Sequence, residues 1–151
     1  MPKLAIIAPC DRLIFDKVGI ASLINIFQRL EARVGDAPFP ADAMSPMSWS
    51  VYTQWFHDEA SVGAAYVQRT EIIKPSGEVF STTDIAFTVA EGNTYTRHFT
   101  QINGFPIGFE GFFKIRVSID GIPEASGEYV LELRYIRSAK EGETIPTTTE
   151  A

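Results

Sequence analysis

Two histidines, one cysteine and a scatter of carboxylates are the side chains of this sequence best suited to chemistry. His57, Asp58 and Glu59 are consecutive, whereas His98 lies far downstream. A structural zinc site takes about four ligands from Cys and His. Cys10, His57 and His98 are the only such residues in the chain. Two histidines with Asp58 or Glu59 would satisfy the count for a two-His, one-carboxylate site. Successive residues of a strand point to opposite faces, so His57 and Asp58 share a ligand sphere only where the backbone bends. The cluster therefore reads as a solvated strand end, and a hydrolase built on His57, Asp58 and Glu59 is the least favoured functional class. Cys10 as a nucleophile would need one of the two histidines as its base. A lone cysteine on an apolar strand more often behaves as a small buried hydrophobe. The chain has no Gly-x-Ser-x-Gly elbow, Gly-rich phosphate loop or His-Glu-x-x-His motif. Asp11, Asp16, Asp36, Asp42, Asp58, Asp84 and Asp120 occur singly, without the Asp-x-Asp clustering that suits calcium, and only Asp11 with Asp16 forms a pair to inspect. The expectation is no catalytic residue, no cofactor and no metal.

The elements that must carry these residues are strands. Sixteen Ile, nine Val and twelve Thr stand against six Leu, and eleven Phe join them. Branched and aromatic side chains suit a pleated surface. From Phe112 to Ile119, Phe113, Ile115, Val117 and Ile119 alternate with Lys114, Arg116 and Ser118, a period of two that marks a strand with one wet face. Tyr129, Leu131, Leu133 and Tyr135 repeat the pattern opposite Glu132 and Arg134. Trp49, Val51, Thr53 and Trp55 share one strand face, and Ile85, Phe87 and Val89 another. The tryptophan pair reads as core, with an aromatic platform for a sugar as the alternative. Lys74-Pro75-Ser76-Gly77-Glu78 reads as a hairpin connection. Ile20 to Glu31 is apolar on both faces for several residues and reads as a central strand because branched residues dominate its centre, with a helix the alternative by length. A short helix is allowed in Pro40 to Met47 or in Asp58 to Ala65.

Turn signals every 8–15 residues predict an all-β fold, an antiparallel β-sandwich of about seven to eight strands of immunoglobulin/C2-like type. The domain is expected over residues 1–138, with a polar tail over 139–151. At 151 residues, 45% apolar and 21% charged, the chain has enough hydrophobic surface for a real core. A net charge of −6 gives no electrostatic footprint for nucleic acid or an anionic membrane. No apolar run approaches the roughly 20 residues of a membrane helix, and a lone thiol fits a reducing, cytoplasmic compartment.

Asp11, Asp16-Lys17-Val18-Gly19, Ser22-Leu23-Ile24-Asn25-Ile26-Phe27 and Phe39-Pro40 form a pattern, continued by Pro75-Ser76-Gly77 and Gly111 to Gly121. It resembles an uncharacterised bacterial domain-of-unknown-function family of small β-sandwich proteins, over about residues 3–136. Asn25 stands where that family commonly has a small glycine. The resemblance implies a sandwich fold and brings no catalytic residues with it.

By elimination the expected role is a non-enzymatic β-sandwich acting through protein contacts, either with a partner protein or by self-association. The alternative is a small-molecule or carbohydrate-binding sandwich. The segment Gly104 to Phe113 holds three glycines and a proline before Phe112, and is expected to be largely loop. Its Phe105, Ile107, Phe109 and Phe112 exceed the apolar content of an ordinary surface loop. They either cap one end of the sandwich or form an exposed interaction surface.

Overall fold

The computed structural model describes residues 1–137, and the tail expected over 139–151 lies outside the described residues. Nine strands follow in order: β1 (Lys3–Phe15), β2 (Ala21–Ile26), β3 (Arg29–Val34), β4 (Met44–Phe56), β5 (Ala65–Ile73), β6 (Val79–Thr88), β7 (Tyr95–Pro106), β8 (Gly111–Ile119) and β9 (Ile122–Arg137). One sheet has the order β2-β1-β4-β7, and the other, curled into a half-barrel, has β3-β9-β8-β5-β6. The fold is all-β and sandwich-like, with nine strands among the described residues rather than seven or eight, and it is not wholly antiparallel, since β3 pairs parallel to β9. Its single helical turn among the described residues is a 3-10 turn over Glu59–Ser61, inside the Asp58 to Ala65 window. Pro40 to Met47 instead makes a turn and enters β4.

The extra strand comes from Ile20 to Glu31, which is not one central strand. The chain changes sheets at Phe27-Gln28. The Phe27 N–H donates to the Pro9 carbonyl at 3.3 Å, and the Gln28 carbonyl accepts from the Glu132 N–H at 2.9 Å. One residue thus closes the pairing with β1 and the next opens the pairing with β9. β2 and β3 are both sheet edges. Asn25 holds φ at +54°, the left-handed region that glycine favours and asparagine tolerates, and its Nδ2 donates to Asp11 at 3.4 Å. Its backbone is therefore one that glycine adopts without strain.

Gly104 to Pro106 does not break β7. Met44 pairs with Pro106 and Ser45 with Phe105, with a register shift in β4 between Ser45 and Ser48. β7 is an edge strand, so the N–H that Pro106 lacks costs no ladder bond. Gly104 takes φ +88° at the irregularity, and its carbonyl accepts from Trp49 Nε1 at 3.1 Å. The loop before β8 shrinks to residues 107–110. The hairpin at Pro75-Ser76-Gly77 forms as expected, closed by Lys74 N–H to Glu78 O at 2.8 Å, with Gly77 at φ +89°.

The inward faces carry the expected alternation. Trp49, Val51, Thr53 and Trp55 of β4 and Phe113, Ile115, Val117 and Ile119 of β8 are buried. Phe27, Trp49, Phe105 and Phe113 form a continuous aromatic run, with successive ring centroids 5.7, 5.7 and 4.8 Å apart. Each such burial contributes roughly 1.5–3 kcal/mol.

A polar tie crosses from sheet to sheet beside that run. Gln68 of β5 is fully buried. Its Oε1 accepts from Trp55 Nε1 at 2.6 Å and from the Thr53 hydroxyl at 2.9 Å, while its Nε2 donates to the Thr70 hydroxyl at 3.1 Å.

The hairpin of β1 and β2 leaves the sheet. β1 pairs with β4 only as far as Cys10 opposite Ser50, and from Arg12 onward it pairs with β2 alone. The tip then crosses the outer face of β4 to reach β7. Phe15 meets Phe99 at 6.2 Å, and Arg97 donates to the Gly19 carbonyl at 2.8 Å. Ala8, Cys10 and Tyr52, which point outward from this sheet, are buried there.

Two substitutions test these assignments. Gln68→Leu should lower unfolding free energy by about 1–3 kcal/mol in urea melts, because Trp55 Nε1 loses its acceptor in the interior; an unchanged midpoint would remove the tie from the account. Asn25→Gly should leave stability equal or higher, whereas Asn25→Val should cost about 1–2 kcal/mol, and equal melts for the two would contradict the left-handed backbone.

Candidate functional site

β4 and β7 bring the two distant histidines to one end of the interior. Thr53 pairs with His98 and Trp55 with Thr96, so His57, just past β4, and His98 point inward. The Phe87 ring of β6 lies 6.0 Å from the His57 ring and 4.7 Å from the His98 ring. His57 is only 4% exposed; it is not part of a solvated strand end. Its Nε2 shares a hydrogen bond of 2.7 Å with the Thr96 hydroxyl. His57 Nδ1, His98 Nε2 and the Thr100 hydroxyl are buried without a protein partner among the described residues. Burial holds both imidazoles below the usual histidine pKa, and their mutual repulsion adds to this at His98.

The acid neighbours turn elsewhere. Asp58 is exposed and binds the Met1 amino group at 2.6 Å and the Ser61 hydroxyl at 2.6 Å. These contacts lower its carboxyl to about 2. His57 and Asp58 thus face opposite ways, as alternation requires. No three His, Cys, Asp or Glu side chains converge among the described residues. Asp16 spends its carboxylate on the Val18 and Ile20 N–H groups, at 2.9 and 2.8 Å, inside its own turn. Cys10 is fully buried, and burial together with Asp11 pushes its thiol up, away from the reactive thiolate. Trp49 and Trp55 are core, so they offer no platform to a sugar.

The four residues of the expected interaction surface separate. Phe105 is fully buried in the aromatic run and cannot meet a partner, and Ile107 is half-buried. Phe109 and Phe112 are 61% and 62% exposed. Their segment is pinned on several sides. The Ile107 N–H donates to the Ala43 carbonyl at 2.9 Å, and the Ile107 carbonyl accepts from the Tyr135 hydroxyl at 2.6 Å. Glu110 accepts from the Tyr135 N–H at 2.6 Å. Gly108 lies so close to the Pro40 and Ala41 carbonyls that no side chain fits there. Two exposed aromatic rings are therefore held by a fixed backbone.

Composition and spacing missed a second feature, an apolar cleft of about 290 Å³ between β3 and the start of β4, floored by Phe105 and Leu133. Its walls come from segments that only the tertiary fold brings together. No protein-family model matches the chain, and no curated protein matches it.

The histidine pair sets a pH dependence. Both folded-state pKa values lie below the unfolded one, so the unfolded chain takes up protons first as pH falls. The stability held by the neutral pair is complete above about pH 6.5 and is lost progressively below it, ahead of the carboxylates near pH 4. Urea midpoints should fall between about pH 7.5 and about pH 5, and fall less in a His57→Gln/His98→Gln double variant. An equal slope in both proteins would contradict this assignment.

Proposed function

We propose that this chain is a non-enzymatic β-sandwich of immunoglobulin/C2-like type that acts through protein contacts. The bacterial domain family it resembles and a cytoplasmic setting belong to the same reading. The observation that carries it is the pair Phe109 and Phe112. Each is large, apolar and more than half exposed, and the backbone that presents them is already fixed by Tyr135, Ala43 and Gly108. A preorganised aromatic pair loses little freedom on binding, so more of its burial appears as affinity. Aromatic side chains are also the type enriched at the centres of interfaces.

The non-enzymatic side of the reading draws support from how the reactive groups are used. His57 bonds to Thr96, Asp58 to Met1 and Ser61, and Cys10 is sealed as a thiol. Of the two platforms open to the carbohydrate alternative, the tryptophan strand is buried, which leaves it an aromatic loop.

Phe109→Ser/Phe112→Ser should change stability by only about 0.5 kcal/mol per site, as exposed positions do. Phe105→Ser should cost about 3–5 kcal/mol through its core cavity. Crosslinking and mass spectrometry in the native host should recover a partner with the parent chain and lose it with the double variant. The same crosslinked set from both proteins would overturn the assignment of this surface.

A further inference from the structure

β7 ends its sheet with a regular edge that has no neighbour among the described residues. It pairs only with β4, in unbroken register from Tyr95 opposite Phe56 to Asn103 opposite Ser48. One step beyond, the His57 N–H donates to the Thr94 carbonyl at 2.8 Å. Residues of an antiparallel ladder alternate in which neighbour their main-chain groups face. Thr96, His98, Thr100 and Ile102 therefore bond to β4, and Tyr95, Arg97, Phe99, Gln101 and Asn103 turn their N–H and C=O groups to the free edge. Those five side chains are exposed on the outer face of the sheet. No lysine, proline or bulge interrupts the segment, and these are the devices that keep edges apart.

Phe99 is the midpoint of the segment, and a two-fold axis beside it maps the segment onto itself. Phe99 then opposes Phe99 of the second copy, Arg97 opposes Gln101, and Tyr95 opposes Asn103. Each outward N–H meets an outward C=O, and no like charges face each other. The same operation centred on Glu31 of β3 would set Glu31 against its own copy and Arg29 against Arg33.

The β1–β2 hairpin supplies the rest of the surface. Its tip reaches this face through Phe15, 6.2 Å from Phe99, and through the Gly19 carbonyl that Arg97 binds. Val18 and Ile20 at the tip are 80% and 61% exposed, and Phe15, Tyr95 and Phe99 are about half exposed. Together they present about 500 Å² of apolar surface, taking roughly 150–250 Å² for each whole ring. A standard interface takes about 800 Å² from each partner, and about 65% of it is apolar in homodimers. The patch supplies that share. Asp16 and Lys17 offset each other within each tip.

We infer that β7 and the hairpin tip form a two-fold interface with a second copy of this chain, joining two β2-β1-β4-β7 sheets into one. The contact lies on the sheet opposite Phe112 and does not depend on it.

Sedimentation of the full chain should show a monomer–dimer equilibrium. Amide exchange in the dimer should protect Tyr95, Arg97, Phe99, Gln101 and Asn103 along with their even-numbered neighbours. On dilution to monomer, those five alone should lose protection. Gln101→Glu should tighten dimerisation about fivefold and Gln101→Arg weaken it as much, since the axis sets Arg97 opposite this position twice. Phe99→Lys opposes two charges at the axis and should leave a monomer. Gln101 is exposed, so its two variants keep the core if Phe99→Lys does not fold. A monomer at about 1 mM, a dimer whose odd-numbered amides exchange freely, or the same response from both Gln101 variants overturns the inference. Protection of those amides in a protein that sediments as a monomer would assign the edge to residues 138–151 and overturns it too. Phe109→Ser/Phe112→Ser should dimerise like the parent chain. Its dissociation would place the self-contact at those residues and remove this one, whereas loss of its crosslinked partner with the dimer intact leaves both surfaces standing.

Discussion

The buried amide of Gln68 constrains the whole sandwich. A side-chain amide in a dry interior is tolerated only when its hydrogen bonds are made, and an unmade one costs on the order of 1–3 kcal/mol. Gln68 makes them to Trp55 and Thr53 of the facing sheet and to Thr70 of its own strand. A one-residue slip of β4 would turn Thr53 and Trp55 outward and leave the amide unsatisfied. The same slip would expel Trp49 and Val51. Hydrophobic burial alone accepts several packings of similar volume, whereas this amide accepts one register.

Around that tie the interior divides. Towards Phe105 and Phe113 it is aromatic and continuous. Towards His57, His98 and Thr100 it is polar and incompletely bonded among the described residues. The aromatic end supports the pinned segment of Phe109, so the contact surface proposed there rests on the better-packed part of the molecule. The arrangement has a physical logic, since a binding surface built on firm packing keeps its shape when free.

What could be read from sequence was what depends on near neighbours. The alternation in β4, β8 and β9 follows from a two-residue period, and the Pro75-Ser76-Gly77 turn from the conformations that proline and glycine allow. The split between β2 and β3 was not legible, because it depends on Phe27 bonding to Pro9 while Gln28 bonds to a strand about a hundred residues later. Gly104 and Pro106 looked like strand breakers. They are tolerated because β7 is an edge with an irregularity opposite, and a strand's place in a sheet is a tertiary property. The meeting of the histidines depends likewise on the β4–β7 register, set across two intervening strands of the other sheet.

The parallel pairing of β3 with β9 has a consequence for how the chain reaches this state. Arg29 bonds to Glu132 across 103 residues of sequence, and the pairing holds from Leu30 opposite Leu133 to Val34 opposite Arg137. During synthesis, β1, β2 and β4 can associate as soon as they emerge. β3 has no partner among the described strands until β9 has been made. Closing so long a loop precedes any return from the contacts it allows, which slows folding. For that interval Leu30, Ala32 and Val34 stay uncovered on an unpaired strand, and the nascent chain is most open to misassociation there.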